Sequence, residues 1–294
     1  AYVGDHMDTV SGTDGGTHGA ILFGSLYTDE IYFFQGPLSG SLTVNEADAT
    51  LTTGKYGNRG VARAGDTNGD GAEDFLLDYS DVVYLLTSPP ADGAKVEDIA
   101  IATFIPETWE KDPCTGWTTW YRHGGAERGG DLDGDGFEDI LIGDYYWARE
   151  PVEATGDVCY SGMVYVVHGP VSGVVDLKSE ATTLEGEYLS LVGERTRSVG
   201  DMNDDGYDDF LVSESSSITG IDACTVFLAF GPAAESGLLA DDAVSILMGG
   251  RVGDISGPGD LDSDGMPIRL ATGRPNIPVA RQHQTPRGSG VQHD

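Results

Sequence analysis

Gly130-Asp131-Leu132-Asp133-Gly134-Asp135-Gly136-Phe137-Glu138-Asp139-Ile140-Leu141-Ile142-Gly143 places carboxylates at loop positions 1, 3, 5 and 9 and follows them at once with an apolar run. A hard cation such as Ca²⁺ takes about six to eight oxygens at ~2.3–2.6 Å. Alternate Asp residues in a tight turn can point such oxygens at one centre, and the Phe137 carbonyl is the expected ligand at position 7. The glycine after the third Asp permits the positive φ that wraps the backbone round an ion.

The loop recurs. Gly65-Asp66-Thr67-Asn68-Gly69-Asp70-Gly71-Ala72-Glu73-Asp74 leads into Phe75-Leu76-Leu77. Gly200-Asp201-Met202-Asn203-Asp204-Asp205-Gly206-Tyr207-Asp208-Asp209 leads into Phe210-Leu211-Val212. A fourth copy keeps Asp260, Asp262 and Asp264, but Ile268 stands where its closing Asp belongs. The starts at Asp66, Asp131, Asp201 and Asp260 lie 65, 70 and 59 residues apart. A period of this size signals repeated supersecondary units. An EF-hand would need a bidentate Glu at position 12 and flanking helices. Leu77, Ile142 and Val212 stand there instead, each within an apolar run. The loops are therefore expected on hairpins, closed by Asp74, Asp139 and Asp209 at position 9.

Between loops the order of signals repeats. The apolar run after each loop is followed by a second, such as Val82-Val83-Tyr84-Leu85-Leu86 or Met163-Val164-Tyr165-Val166-Val167. A turn comes next, as in Gly36-Pro37-Leu38-Ser39-Gly40 and Gly169-Pro170-Val171-Ser172-Gly173. A last short strand such as Thr182-Thr183-Leu184 closes the unit. Each unit thus predicts four strands, with the acidic loop joining the first to the second. A lone four-stranded sheet cannot bury both faces, whereas radial stacking of such sheets can, which is the β-propeller. The units fall at 1–54, 55–122, 123–190 and 191–249, with a partial one at 250–265. In the first unit the opening strand is expected to be missing, and Gly4-Asp5, Asp8 and Asp14-Gly15 read as a degenerate acidic loop with His18 near its end. From Met266 onward four arginines and no acid precede Asp294, and residues 266–294 are expected to be a disordered tail foreign to the fold.

The formal charge is −33, from 49 acidic against 16 basic residues. Such a surface repels nucleic acid and anionic membranes and suits cations. No apolar run is long enough for a transmembrane helix, so direct membrane insertion is not expected. Cys114 and Cys159 sit in polar insertions, where a disulfide would suit an extracellular site, and Cys224 opens an apolar strand as a free thiol. Aromatic clusters at Trp109-Trp117-Trp120-Tyr121 and Tyr145-Tyr146-Trp147 suit rim packing or stacking on a sugar or partner. Nucleophile elbows, zinc-protease helices and phosphate loops are absent from the sequence.

The motif Gly-Asp-x-Asn/Asp-x-Asp-Gly-x-x-Asp, followed by an apolar strand and Gly, resembles the FG-GAP repeat of integrin α subunits and similar bacterial surface proteins. The resemblance covers residues 1–265. It implies an all-β propeller of about four units, part of a seven-bladed ring. It also implies Ca²⁺ held by Asp66, Asn68, Asp70, Asp74 and the Ala72 carbonyl, by Asp131, Asp133, Asp135, Asp139 and the Phe137 carbonyl, and by Asp201, Asn203, Asp205, Asp209 and the Tyr207 carbonyl. Asp260, Asp262 and Asp264 form the incomplete fourth set. The Gly-Ala-Pro part of the family name is replaced by Gly143-Asp144-Tyr145 and Ser213-Glu214-Ser215. The expected role is non-enzymatic: adhesion or binding of an extracellular protein or polysaccharide at the cell surface or outside it. The alternatives are a propeller domain of a secreted polysaccharide-acting enzyme, whose chemistry needs only two carboxylates, and a structural surface-protein module.

Overall fold

In a computed structural model the chain is described over residues 6–10, 18–24, 29–55, 58–79, 81–107, 125–147, 160–187, 190–215, 223–233, 235–249 and 255. The second strand of each unit carries a short apolar run, and in the second and third units it is buried at every step, Asp78 and Asp144 included, so period-2 alternation is lost there. These runs become the middle strands of four antiparallel meanders. The first sheet holds β1 (His6–Val10), β2 (Ala20–Gly24), β3 (Glu30–Gln35) and β4 (Ala49–Thr52). The second holds β5 (Asn58–Gly65), β6 (Asp74–Tyr79), β7 (Val82–Leu86) and β8 (Ala102–Ile105). In the third, β9 (Gly125–Gly130), β10 (Asp139–Asp144) and β11 (Met163–Val167) pair in order, and β13 (Thr182–Glu185) follows β11. The fourth runs β14 (Thr196–Gly200), β15 (Asp209–Ser215), β16 (Ala223–Ala229) and β18 (Ala243–Gly249).

The first strands β1, β5, β9 and β14 lie side by side in succession, and the sheets stack face to face behind them. Strand alternation assigns each side chain to one of the two flanking interfaces. In the second sheet Phe75, Leu77, Tyr84 and Leu86 join Leu22, Ile31, Phe33 and Leu51 of the first. Leu76, Leu85, Ala102 and Phe104 point the other way, onto Ile140, Ile142, Met163 and Tyr165 of the third. Leu141, Val164, Val166 and Leu184 then meet Phe210, Val212 and Phe227 of the fourth. The chain is an all-β, propeller-like fold whose core lies between blades, and no sheet closes on itself.

Outer edges are joined as well. β12 (Gly173–Asp176), from the connection before β13, pairs parallel with β8 of the preceding sheet. β17 (Gly237–Leu238) does the same with β13. Between the first two sheets the contact shrinks to a parallel bridge, Thr52 with Lys95. Each blade thereby covers the edge of the one before it, which removes unpaired backbone groups from solvent and from unwanted pairing.

The expectation that the first unit lacks its opening strand is corrected. His6–Val10 pairs antiparallel with Ala20–Gly24, and Asp8 faces Leu22 within that strand rather than lying in a loop. The mixed run His-Met-Asp-Thr-Val carries too little apolar signal to announce a strand, but as an inner strand it needs only one apolar anchor, the buried Val10. The aromatic insertion around Trp109 to Tyr121, Cys114, Cys159 and the 266–294 tail lie outside the described residues, as does the Cys224 side chain.

Backbone approach limits sequence at Gly143. A Cβ there would stand 2.0 Å from the Gly193 carbonyl oxygen in the neighbouring sheet's approach, a contact with backbone that cannot swing away. Gly143→Ala is expected to lower the unfolding free energy by about 1–3 kcal/mol through overpacking. Val174→Ala, at a 72% exposed side chain, should stay within about 0.5 kcal/mol. Urea denaturation midpoints of the two variants check this, and equal midpoints would count against the close approach.

Candidate metal centre

Each acidic loop starts from a bulge. Pairing shifts between Arg63 and Gly65, at Asp139/Ile140, and between Ser198 and Gly200, so that Gly65, Gly130 and Gly200 face Asp74, Asp139 and Asp209 across the hairpin. Gly65, Gly130 and Gly200 have φ of 77°, 93° and 71°, the left-handed region that bulge glycines supply. The chain then folds on its own side chains. Asp66 Oδ1 accepts from Gly69 N at 2.7 Å and Asp66 Oδ2 from Gly71 N at 2.9 Å. Asp131 repeats this with Gly134 N (2.7 Å) and Gly136 N (3.0 Å). Asp201 repeats it with Asp204 N (2.7 Å) and Gly206 N (2.9 Å). The position-5 carboxylates follow suit: Asp70, Asp135 and Asp205 accept from Ala72 N, Phe137 N and Tyr207 N at 2.9, 2.9 and 3.0 Å. Asx turns of this kind are a local property of Asp and Asn, which is why the motif builds the same frame three times.

The closing aspartates form the floor. Asp74, Asp139 and Asp209 are fully buried at the first residue of β6, β10 and β15. Asp74 Oδ2 accepts from Thr67 N at 3.1 Å and also from the Thr67 hydroxyl. Asp139 accepts from Leu132 N and Gly169 N, both at 2.8 Å. Asp209 accepts from Met202 N at 2.7 Å and Gly231 N at 3.1 Å. At the mouth, Asp70, Asp135 and Asp205 are exposed.

Electrostatics favour a cation in these cages. Burial, with Asp70 and Asp66 close by, pushes the Asp74 carboxyl from its usual 3.8 up to about 6 despite its hydrogen bonds to Thr67. Burial, with Asp205 and Asp201 nearby, also raises Asp209. Asp133 is raised by desolvation and by Asp139. Asp201 goes the other way: desolvation pushes it up, but N–H donors from Gly206, Asp204, Asn203 and Asp205 together hold it low. Carboxylates crowded in this manner ionise together most readily around a positive ion. The donors are oxygens throughout the Asp66 and Asp201 loops, the chemistry of a hard cation. In the third sheet, ligand oxygens of Asp131, Asp133 and Asp135 all lie within 4.8 Å of one another, as do donor atoms of Asp133, Asp139 and His168. Asp260, Asp262 and Asp264 lie outside the described residues.

Three features escape the sequence. First, consecutive loops are nested. Phe137 packs on Gly69 and Tyr207 on Gly134, so that a Cβ at either glycine would stand 3.0 or 2.9 Å from the ring. Asp208 Oδ2 accepts from Asp131 N at 3.1 Å, and Asp208 N donates to the Asp131 carbonyl at 2.9 Å. Glu138 lies in the same way over Gly65 and is gripped by both arms of Arg128. Secondly, His168 reaches the Asp139 floor from the turn after β11. Thirdly, Asp144 and Glu107, carboxylates outside the loops, converge on Trp147. The Trp147 indole N–H donates to Glu107 at 3.1 Å, Lys178 pairs with Glu107, and Asp144 accepts from the Tyr146 and Trp147 amides. Trp147 packs against the core between the second and third sheets, and Tyr146 stands edge-on to Tyr160 with ring centres 4.8 Å apart.

No family model matches the chain. Over 194 residues it is 29% identical to integrin alpha pat-2 of Caenorhabditis elegans, a match that spans 61% of this chain and 14% of that protein. Over that stretch the chain is similar to an integrin alpha protein, in keeping with its four stacked, propeller-like meanders. It carries acidic clusters suited to a divalent cation. Among the described residues no helix is long and apolar enough to cross a membrane.

Asp144 supplies a pH signature. Its burial, aided by Glu107, raises its carboxyl from 3.8 to about 7 even though two amides donate to it. The folded chain therefore keeps a proton there that the unfolded chain loses, and stability falls as pH rises from about 4 to about 7. Asn mimics the protonated acid, so Asp144→Asn should gain on the parent chain across that window. Denaturant midpoints at pH 4.5 and 7.5 in chelator measure the difference. Parallel pH profiles for parent and variant would sink it.

Proposed function

We propose that the chain is a calcium-binding extracellular β-propeller segment that serves adhesion or ligand binding. The observation that carries this is the threefold loop frame, with a buried Asp as floor and exposed carboxylates as mouth. Ca²⁺ would be held by Asp66, Asn68, Asp70, Asp74 and the Ala72 carbonyl in the second sheet. The third sheet would use Asp131, Asp133, Asp135, Asp139 and the Phe137 carbonyl, and the fourth Asp201, Asn203, Asp205, Asp209 and the Tyr207 carbonyl. The ion's role is structural: it offsets repulsion between carboxylates that the fold forces together and fixes the turn at the inner end of each blade.

The name integrin alpha belongs to the relative, and the chain spans 14% of that protein; adhesion is carried over on that likeness and on the metal loops. Turns joining the second strand of each blade to the third emerge on the face opposite the metal loops. The longest of these in the described sheets, between β10 and β11, carries Tyr145, Tyr146 and Tyr160. Aromatic side chains of this kind suit contact with an extracellular protein or polysaccharide. For an acid–base enzyme, Asp144 and Glu107 are a carboxylate pair outside the metal loops, beside Trp147. Both are already engaged, one by backbone amides and the other by Lys178 and Trp147.

Calcium bound to the folded state alone raises stability by mass action, by about 2.7 kcal/mol per site at a hundredfold excess over Kd. Thermal melts with Ca²⁺ and with chelator, alongside a count of bound ions, test the metal half. A melt unmoved by chelator would overturn it. Asp135→Ala should remove one ion and leave the other loops loaded. The recognition half is tested by capture of the calcium-loaded chain on surfaces coated with matrix proteins or acidic polysaccharides. A folded, loaded chain that binds neither class leaves it a structural module.

A further inference from the structure

Gly93, Gly173 and Gly237 each open a strap that reaches back to the outer strand of the blade before. The apolar side chains of these straps are buried. Val175 is 5% exposed, and Val96, Leu177 and Leu239, which begin the helical turns that follow, are fully buried in the core shared with the preceding blade. Gly40-Ser41-Leu42-Thr43 of the first sheet is the same device. Gly40 has φ of 77° against 79° at Gly173. The Thr43 amide is held by Glu46 at 2.7 Å as the Asp176 amide is by Glu180 at 2.9 Å. Yet Leu42, in the place of Val175, is 44% exposed, and Leu38, in the place of Val171, is 40% exposed. Behind this strap Ile21 and Phe23 are half-buried, where their counterparts Phe75 and Leu77 are fully covered by the blade before.

The far end of the stack shows the complementary surface. Leu211 and Leu228 of the fourth sheet are half-buried, where Leu141 and Val166 of the third are fully covered by the next blade. β18 is the outer strand of that sheet, and among the described residues no strand lies on its free edge. Ser245 pairs with Phe227 as Thr50 does with Tyr32 and Thr183 with Tyr165. The Thr50 and Thr183 amides donate outward to strap residues, Asp92 and Ser236, at 3.0 Å each. The Ser245 amide therefore points to the same open side. At the inner end the Ile255 carbonyl already accepts from Arg197 Nε at 3.4 Å, so the open part is the middle and outer strands.

We propose that a second copy of this chain fills both ends, head to tail: the Leu42 strap and the Ile21 and Phe23 face of one copy seat on the β18 edge and the Leu211 and Leu228 face of the other. Continuity with the interface inside the molecule identifies the occupant. That interface, strap on outer strand and apolar face on apolar face, is built three times within the chain, and each end of the stack displays one unfilled half of it. The two halves are different surfaces, so the contact is heterologous and either closes into a ring or propagates. Main-chain pairing along β18 supplies the seat, and Leu42 supplies the side-chain anchor. The net charge of −33 on each copy opposes approach, and salt screens that repulsion. Association therefore strengthens as salt rises, the opposite of a contact made by ion pairs. It does not depend on what the acidic loops bind.

Sedimentation velocity of the full chain over a concentration series, at low and high salt, tests this. The expected result is a species of two or more copies that grows with concentration and with salt. Leu42→Asp on the strap and Ser245→Pro on the β18 edge should each weaken association at least about tenfold. Val174→Asp, on a strap that is already filled, should leave it unchanged. Thermal melts confirm that each variant is folded. Leu42→Asp keeps its β18 edge and Ser245→Pro keeps its strap, so an equal mixture of the two should re-form one junction and stop at dimers. A chain that stays monomeric at every concentration and salt overturns the proposal and leaves these ends to a different segment. Association that survives both variants, or a mixture that stays monomeric, overturns it equally, because then the contact is not head to tail through these surfaces.

Discussion

A carboxylate buried at the first residue of each second strand governs the rest of the structure. Asp74, Asp139 and Asp209 have no exposed surface, and a buried charge is costly unless it is hydrogen-bonded or paired. At Asp74 the chain answers with the Thr67 amide and hydroxyl and the Asn68 side-chain amide, and at Asp139 and Asp209 with amide donors from both sides. One comes from the second loop residue, as from Leu132 to Asp139, and one from the distant turn after the third strand, as from Gly169 and Gly231. In the third and fourth sheets the Asp is therefore the point where the inner hairpin and the outer return of the meander are tied together. This explains the aspartate at position 9 better than surface chemistry does. An acid needed only for charge would tolerate exposure, whereas each of these receives two or more hydrogen-bond donors at fixed positions. Amides alone leave the outer carboxylates of the loop facing one another, an arrangement that the proposed cation would complete.

The same geometry runs from blade to blade. Residues 7 and 8 of one loop rest on the glycines of the loop before it, through Phe137 on Gly69, Tyr207 on Gly134, Glu138 over Gly65 and Asp208 over Gly130. These glycines therefore meet two separate demands, a left-handed φ and a space filled by the next blade. Asp204 shows the demands apart: it holds φ at 63° where the two earlier loops have glycine, a conformation Asp tolerates through its own local hydrogen bonds. A loop that loses its shape would loosen the glycines beneath its aromatic ring as well as its own turn.

Much of this was legible in sequence, for identifiable reasons. The loops and the strands that follow them depend on contacts within about ten residues, and their repetition cancels chance matches. The apolar middle strands were legible because both faces are buried. What failed to show was either weakly apolar or long-range. β1 has one buried anchor, Val10, and so reads as loop. β12 and β17 are short parallel edge strands whose pairing is with another blade, and Val174 within β12 is largely exposed. His168 lies 29 residues from Asp139. Its place beside that carboxylate follows from the register of Ile140 with Val167 across β10 and β11, which no local pattern records. The stacking of one loop on the next is hidden for the same reason, since Phe137 and Gly69 meet only after two sheets have packed.

Stability in such a stack is a sum over neighbours, and each blade is held at both ends. At the inner end, the acidic loop fixes the first hairpin. At the outer end, the strand or bridge donated by the next blade covers the last strand, with Thr50 and Thr183 amides further held by Asp92 and Ser236. Between them lies the apolar interface, which is similar at every junction. The ends differ more than the middle does: the parallel pairing spans four residue pairs at β8 with β12, two at β13 with β17, and one bridge at Thr52. Where the outer clasp is shortest, a junction leans more on its apolar contacts and on its metal loop. The junction of the first and second sheets is that case. Its described cross-links at the inner strands reduce to contacts such as the Arg63 amide donating to Asp8 at 3.0 Å. On the calcium proposal, an ion in the Asp66 loop would therefore matter more to that junction than one in the Asp131 loop would to the next, where the β8–β12 clasp carries more of the load.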